Sequence, residues 1–133
     1  MRNLDQVRAA NAIKHIETPF SGADGGEVVK KVPVMIRENG LLAAAAFAVE
    51  MKKDKNGQMK YKNPGHKEVF DCVIEHLAHK DIGRLDQCLS PEKLIEYIAE
   101  KDSAVLRDIT EEALNYLNYL RRFARKKGGD KKC

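Results

Sequence analysis

The feature that most constrains this fold is one long apolar stripe near the C-terminus. Leu106, Ile109, Ala113, Tyr116, Leu117, Leu120, Phe123 and Ala124 recur at helical spacing within a stretch running from about Ser103 to Lys126. A helix with such a stripe is only marginally stable alone and must lay its apolar side against other elements. No stretch of the chain alternates apolar and polar residues as a half-buried strand does. The partners must therefore be helices, and the expected fold is all-α: a single compact bundle of five to six helices.

Local start and stop signals divide the rest of the chain. A first helix is predicted from about Leu4 to Ile16, with Val7, Ala9, Ala10, Ala12, Ile13 and Ile16 on its apolar side. Arg8, Asn11 and His15 then share a polar stripe on the other side. Thr18 and Pro19 end this helix, and Ser21 to Gly26 read as a flexible loop. A second helix should begin near Glu27, with Pro33 restarting or kinking it. Asn39 and Gly40 stop it, because both residues tolerate a left-handed backbone. A third follows at once, from Leu41 to about Met51, and its alanines Ala43 to Ala46 leave room for close neighbours. Residues 52–62, with Asn56 and Gly57 at a turn, read as a mobile basic loop. Asn63 with Pro64, and Ser90 with Pro91, are paired helix-start signals. They open a fourth helix reaching about His79 and a short fifth one bearing Leu94, Ile95 and Ile98. Residues 1–127 form one domain in this reading, and 128–133 a flexible basic tail.

Composition narrows the class. Of the 133 residues, 43% are hydrophobic and 33% charged, a balance that suits a globular domain better than a disordered chain or a membrane protein. The longest apolar run, Leu41 to Val49, is far short of the roughly 18 residues a membrane span needs. Arg2, Asp5, Gln6 and Arg8 do not resemble a secretory leader. Three widely spaced cysteines, Cys72, Cys88 and Cys133, suit a reducing compartment, so a cytoplasmic location is expected. The net charge of +4 is unevenly distributed: residues 52–62 carry five lysines against Asp54, and residues 63–120 carry twice as many acidic as basic side chains. Such a dipolar chain can offer basic edges to a polyanion and an acidic face to a basic protein.

Catalytic signals are sparse. Arg8 and His15, separated by six residues, resemble the Arg-x(4–6)-His pattern of HEPN-type ribonucleases, in which Arg holds a phosphate and His moves a proton. Here the Arg is followed by Ala9 rather than a polar residue, and a polar helix side is the simpler account. Cys72, His76 and His79 fall on one predicted helix face at spacing that a metal could use, but no further Cys or His completes the set. They read as a polar outer face. His66 reads as a core histidine. Neither a metal nor a cofactor is expected, and the chain is expected not to be an enzyme.

RNA binding has more support. Along the outer side of the last helix lie Asn115, Asn118, Tyr119, Arg122 and Lys126, a flat aromatic with amides and cations. That set suits a single strand or the backbone of a duplex. Arg8, Lys30, Lys31 and Arg37 are the other cations on predicted helices. The lysines of 52–62 are expected to be too mobile to position a phosphate, adding only non-specific attraction.

Three stretches together resemble a known family. They are Leu4, Gln6, Arg8 and Ala9; then Pro33, Met35, Ile36, Asn39, Gly40, Leu41, Ala46 and Phe47; then Thr110, Glu112, Ala113, Leu114, Tyr116, Leu117, Leu120, Arg122, Phe123 and Ala124. Their order and spacing resemble the small α-helical subunit of the type III-B CRISPR (Cmr) RNA-targeting effector complex, with residues 52–105 the weakest part. Tyr119 departs from the tryptophan expected there. The resemblance implies a non-catalytic subunit that stacks in more than one copy beside the backbone subunits. It implies as partners the backbone and large subunits, guide RNA and target RNA, with cleavage left to the backbone subunits.

Overall fold

A computed structural model describes residues 2–21 and 27–123. Within them the chain forms six helices and one hairpin. The helices are α1 (Leu4–Ile13), α2 (Val28–Asn39), α3 (Leu41–Ala48), α4 (Pro64–Ala78), α5 (Pro91–Ala99) and α6 (Ser103–Phe123). The strands β1 (Met51–Lys53) and β2 (Met59–Tyr61) pair antiparallel between α3 and α4. The mainly helical bundle expected from periodicity is the fold observed. Ala124, Lys126 and the tail 128–133 lie outside the described residues.

The helix ends follow local chemistry. Asn3 and Gln6 close a capping box at the start of α1, each side chain accepting from the other's backbone N–H at 2.9 and 2.8 Å. Ser90 Oγ accepts from Lys93 N ahead of α5, and Asp102 Oδ1 from Val105 N at the start of α6. Gly40, at φ 91, ends α2 and admits α3 directly, in a backbone region that side chains disfavour. Pro33 is buried within a continuous α2. Asn63 precedes α4 as expected, but its side chain makes no cap; its Nδ2 donates instead to the Phe47 carbonyl at the end of α3.

The core forms where all six helices meet. Ile36, Leu41, Phe70, Ile74, Leu77, Leu94, Ile98, Ile109, Leu117 and Leu120 are almost wholly excluded from solvent. Ala44, Ala45 and Ala48 are buried where α3 meets α2, α4 and α5, while Ala43 and Ala46 face out. Phe20, in the connection after α1, is fully buried. Gly65 sits so close to the Ser21 carbonyl oxygen that a Cβ there would collide with it. Ser21 is itself held by Glu68, which accepts from its backbone N at 2.7 Å and its Oγ at 2.8 Å.

Three expectations need correction. α1 ends at Ile13, three residues early, because 14–17 tighten into turns such as His15 N to Ala12 O. α3 ends at Ala48, since the chain must enter the ribbon. And 52–62 is not a loose loop. Asp54 organises its turn: the carboxylate accepts from Asn56 N at 2.8 Å and Gln58 N at 3.0 Å, while Asp54 N donates to Gln58 O at 2.9 Å. Gly57, at φ 80, completes the reversal. The hydrogen bond from Gln58, with that from Asn56, lowers the Asp54 carboxyl below its ordinary value. At the base, Lys62 N donates to Glu50 O and the Tyr61 hydroxyl donates to Glu92 on α5 at 2.7 Å. That bond to Glu92, aided by partial burial, raises the Tyr61 phenol. Lysine-rich strands are invisible to a search for apolar alternation; the turn and base hydrogen bonds define them.

Candidate functional site

The polar stripe of α1 faces inward, not outward. Arg8 Nε and Nη2 donate to the two carboxylate oxygens of Glu112 on α6 at 2.8 and 2.7 Å, a bidentate pair. Its remaining nitrogen, Nη1, donates to Asp5 at 2.9 Å. Asn11 Nδ2 lies 2.9 Å from Nδ1 of His76 on α4, and His76 Nε2 lies 2.8 Å from Glu112 Oε2. His15 Nε2 lies 2.9 Å from Glu75 Oε1, also on α4. Asn11, His76 and Glu112 are at most 5% exposed, so this relay joins α1, α4 and α6 out of reach of water.

The electrostatics assign its protons. Burial opposes a charge on Glu112, yet the hydrogen bonds from Arg8 and His76 outweigh it and hold the carboxyl down at about 2. Glu112 is therefore an anion at neutral pH, and His76 Nε2 must carry the hydrogen it shares with it. Burial pushes the imidazole below its ordinary value despite the bond to Glu112. His76 is thus neutral, with Nδ1 accepting from the Asn11 amide. Arg8 is raised by the same carboxylate and stays charged. The sum is one cation and one anion, each hydrogen-bonded, as a low-dielectric interior requires.

Tyr116 stacks on the His76 ring, with centroids 4.3 Å apart and planes 13° from parallel. Burial raises its phenol, and its hydroxyl has no hydrogen-bond partner among the described residues. Arg84 approaches the same carboxylate from the segment after α4, with Nη2 4.0 Å from Glu112 Oε1.

This geometry changes the reading of several residues. All three Arg8 nitrogens are committed to carboxylates, so Arg8 does not present a guanidinium to phosphate. Arg8 points to α6 and His15 to α4, which separates the pair that resembled a nuclease motif. Cys72 and His76 are buried on the core side of α4, contrary to the expected outer face. Burial pushes the Cys72 thiol up to about 12, leaving it protonated. Among the described residues no three metal-ligating side chains come together. His66 is half-buried and meets Phe47 edge-on at 4.9 Å; burial, with Lys31 nearby, lowers its imidazole.

Lys30, Lys31 and Arg37 are exposed on α2, with Lys30 Nζ 3.6 Å from Glu27. On α6, Asn118 and Arg122 are exposed and joined, since Arg122 Nη1 donates to both the backbone oxygen and Oδ1 of Asn118 at 2.8 Å. Tyr119 is only half exposed, its ring leaning on the core. Since α2 packs on α6, these outer sides belong to neighbouring helices. Lys126, the remaining candidate, is outside the described residues. The relay itself was missed by sequence reasoning. Its only local trace is a charged residue, Glu112, inside the apolar stripe of α6.

The class defined by these features is a small helical domain with an internally paired buried charge network and cations on its outer helix sides. The model of the CRISPR-associated protein (Cas_Cmr5) family matches residues 4–127, and the chain belongs to that family. It is also 25% identical over 127 residues to the CRISPR system Cmr subunit Cmr5 of Thermus thermophilus, a match covering 93% of this chain and 95% of that protein. No solved structure matches.

Proposed function

We propose that this chain is a non-catalytic small subunit of a type III-B CRISPR (Cmr) ribonucleoprotein acting in antiviral RNA interference in the cytoplasm. It stacks in more than one copy beside the backbone subunits and helps to line the groove for guide and target RNA. The observation that carries this reading is the family match, which runs from α1 to the end of α6. The outer side chains of α2 and α6, with Lys30, Lys31, Arg37, Asn118, Tyr119 and Arg122, are of the type that holds a phosphate backbone without reading sequence. Arg8 leaves the RNA-contact set because Glu112 and Asp5 occupy it. The buried Glu112–His76 pair supports a structural role, since neither group can reach a substrate. Among the described residues no helix is long and apolar enough to cross a membrane.

The test is reconstitution. The chain is co-expressed with the Cmr backbone and large subunits and guide RNA, and the complex is purified through a tag on the backbone subunit. Stoichiometric co-purification is expected, with weaker target-RNA capture when the chain is omitted. The chain alone, with or without divalent metal, is expected to leave labelled RNA intact. Exclusion from the complex, or RNA cleavage lost on His15→Ala, would overturn the proposal.

A further inference from the structure

The β1–β2 ribbon carries the densest positive charge among the described residues, in a shape that α2 and α6 do not share. Its register sets Met51 opposite Tyr61, Lys52 opposite Lys60 and Lys53 opposite Met59. Side chains alternate along a strand, so Met51, Lys53, Met59 and Tyr61 share one face and Lys52 and Lys60 the other. The Tyr61 hydroxyl is bound to Glu92 on α5, so that end of its face meets the bundle, while Met51, Lys53 and Met59 stay exposed and the Lys52–Lys60 face is open along its length. Both lysines are exposed, as are Lys53 and Lys55.

Two like charges directly opposite on a ribbon destabilise it; Lys60 feels Asp54 through space, but neither lysine is closed off in an ion pair among the described residues. Lys52, Lys53, Lys55 and Lys60 make no ion pair among the described residues. Asp54, the ribbon's one acid, is held in its own turn by the N–H groups of Asn56 and Gln58. The base is pinned by Tyr61 to Glu92, and by Lys62 to Glu50 through both the backbone and a 3.8 Å ion pair. The lysines are thus carried on an ordered, protruding element rather than on a loose loop.

We infer that the 51–61 ribbon is a second RNA-contact element, in which Lys52 and Lys60 clasp the phosphodiester backbone from one face and Lys53 and Lys55 add contacts at the edge and tip. The chemistry favours phosphate over a protein carboxylate. Every cation in the ribbon is lysine, a point charge that needs no fixed geometry, and four of them on one short element can together displace counterions from a polyanionic backbone. Lysine is also depleted from the cores of protein interfaces. The basic face carries no aromatic side chain, so it holds backbone and reads no base. This rests on the proposed function and deepens it by adding an element distinct from the α2 and α6 faces.

The test uses the whole chain, a labelled polyuridine strand and a salt titration. A variant with Lys52, Lys53, Lys55 and Lys60 all changed to Gln is compared with the unaltered chain and with Arg37→Gln/Arg122→Gln. Each phosphate contact to a single strand contributes roughly 0.7 to the logarithmic salt slope, so losing four flattens it by about 3. At low salt the four-lysine variant is expected to bind more weakly by a factor of about ten or more, and a version with arginine at all four positions to recover most of that loss. Ultraviolet cross-linking of the unaltered chain to the same strand should yield labelled peptides from 51–62, a readout that does not depend on how the variants fold. Unchanged affinity in the glutamine variant, or cross-links confined to α2 and α6, would refute the ribbon's role. Self-association of that variant with RNA affinity intact would likewise refute it, showing that the lysines only shield strand edges. None of these results bears on whether the subunit enters the complex, so the two proposals fail separately.

Discussion

The joint between α1 and α6 and the packing around α3 and α5 solve the same problem with opposite chemistry. Where α3, α4 and α5 meet, alanines and aliphatic side chains such as Leu94 and Ile98 exclude water, and no charge is involved. Where α1 meets α6 and α4, contact runs through Arg8, Glu112, His76 and Asn11, with only Val7 and Ala12 buried from the apolar side. An apolar interface gains from burial of almost any well-fitting side chain, whereas a buried ionic one depends on every partner being present. The first tolerates well-fitting apolar substitutions and feels acid only through His66, at its margin against Phe47. The second specifies where α1 docks, at the cost of sensitivity to both.

The sharpest way to break this contrast is to remove the shared anion. Glu112→Ala leaves His76 Nε2 without its acceptor and Arg8 with only the exposed Asp5, and is expected to cost about 3–5 kcal/mol in denaturant unfolding. Adding Arg8→Ala to it should cost far less than the two single losses summed, because one interaction has been removed twice. Simple additivity would mean that the pair is not coupled.

In the apolar half, Leu94→Ala should cost about 2–5 kcal/mol through lost burial and a residual cavity, and Leu117→Ala a similar amount on α6. These losses should be the same in mild acid as at neutral pH, since no proton is involved. A loss that grows in acid would show the two regions to be linked.

Acid should separate the regions next. His76 and Glu112 have folded-state values below their ordinary ones, as His66 and Asp54 do outside the joint, so the unfolded chain takes up protons first and stability falls as pH falls. The His76 part is complete above its ordinary value of 6.5 and is lost below it. The Glu112 part is complete above 4.5 and is lost as pH falls to about 2. At about 1.36 kcal/mol per unit, the latter amounts to roughly 3 kcal/mol. Denaturant midpoints measured from neutral pH down to about pH 3 should decline throughout, and Glu112→Gln should remove most of the lower step, leaving the part that belongs to Asp54. A flat profile in the unaltered chain would contradict the assignment of charge to Glu112.

The smallest effect belongs to the outer face. Arg122→Glu removes a local bond to Asn118 and is expected to shift stability by less than about 0.5 kcal/mol, while weakening target-RNA capture by the assembled complex. If it instead blocks incorporation, that face of α6 binds protein.

Most of the fold was legible because helix starts, stops and faces are written in short-range chemistry. Ser90 with Pro91, Asn63 with Pro64, and Asn39 with Gly40 mark joints that the structure keeps, and the α6 stripe is buried at Ile109, Ala113, Tyr116, Leu117 and Leu120. The candidate site was less legible. Arg8 carried the same weight in the sequence as Arg37, yet one meets Glu112 and the other faces solvent.

The reason is distance along the chain. A cap or a stripe depends on residues within a turn or two, and those the sequence determined by itself. The orientation of α1 depends on a carboxylate 104 positions from Arg8 and an imidazole 65 positions from Asn11. The strand pairing of 51–61 rests on a turn centred on Asp54 and on Glu92, 31 positions from Tyr61. Whether a polar side chain faces water or the interior is decided by which partner the folded chain brings to it, and only the tertiary structure makes that choice.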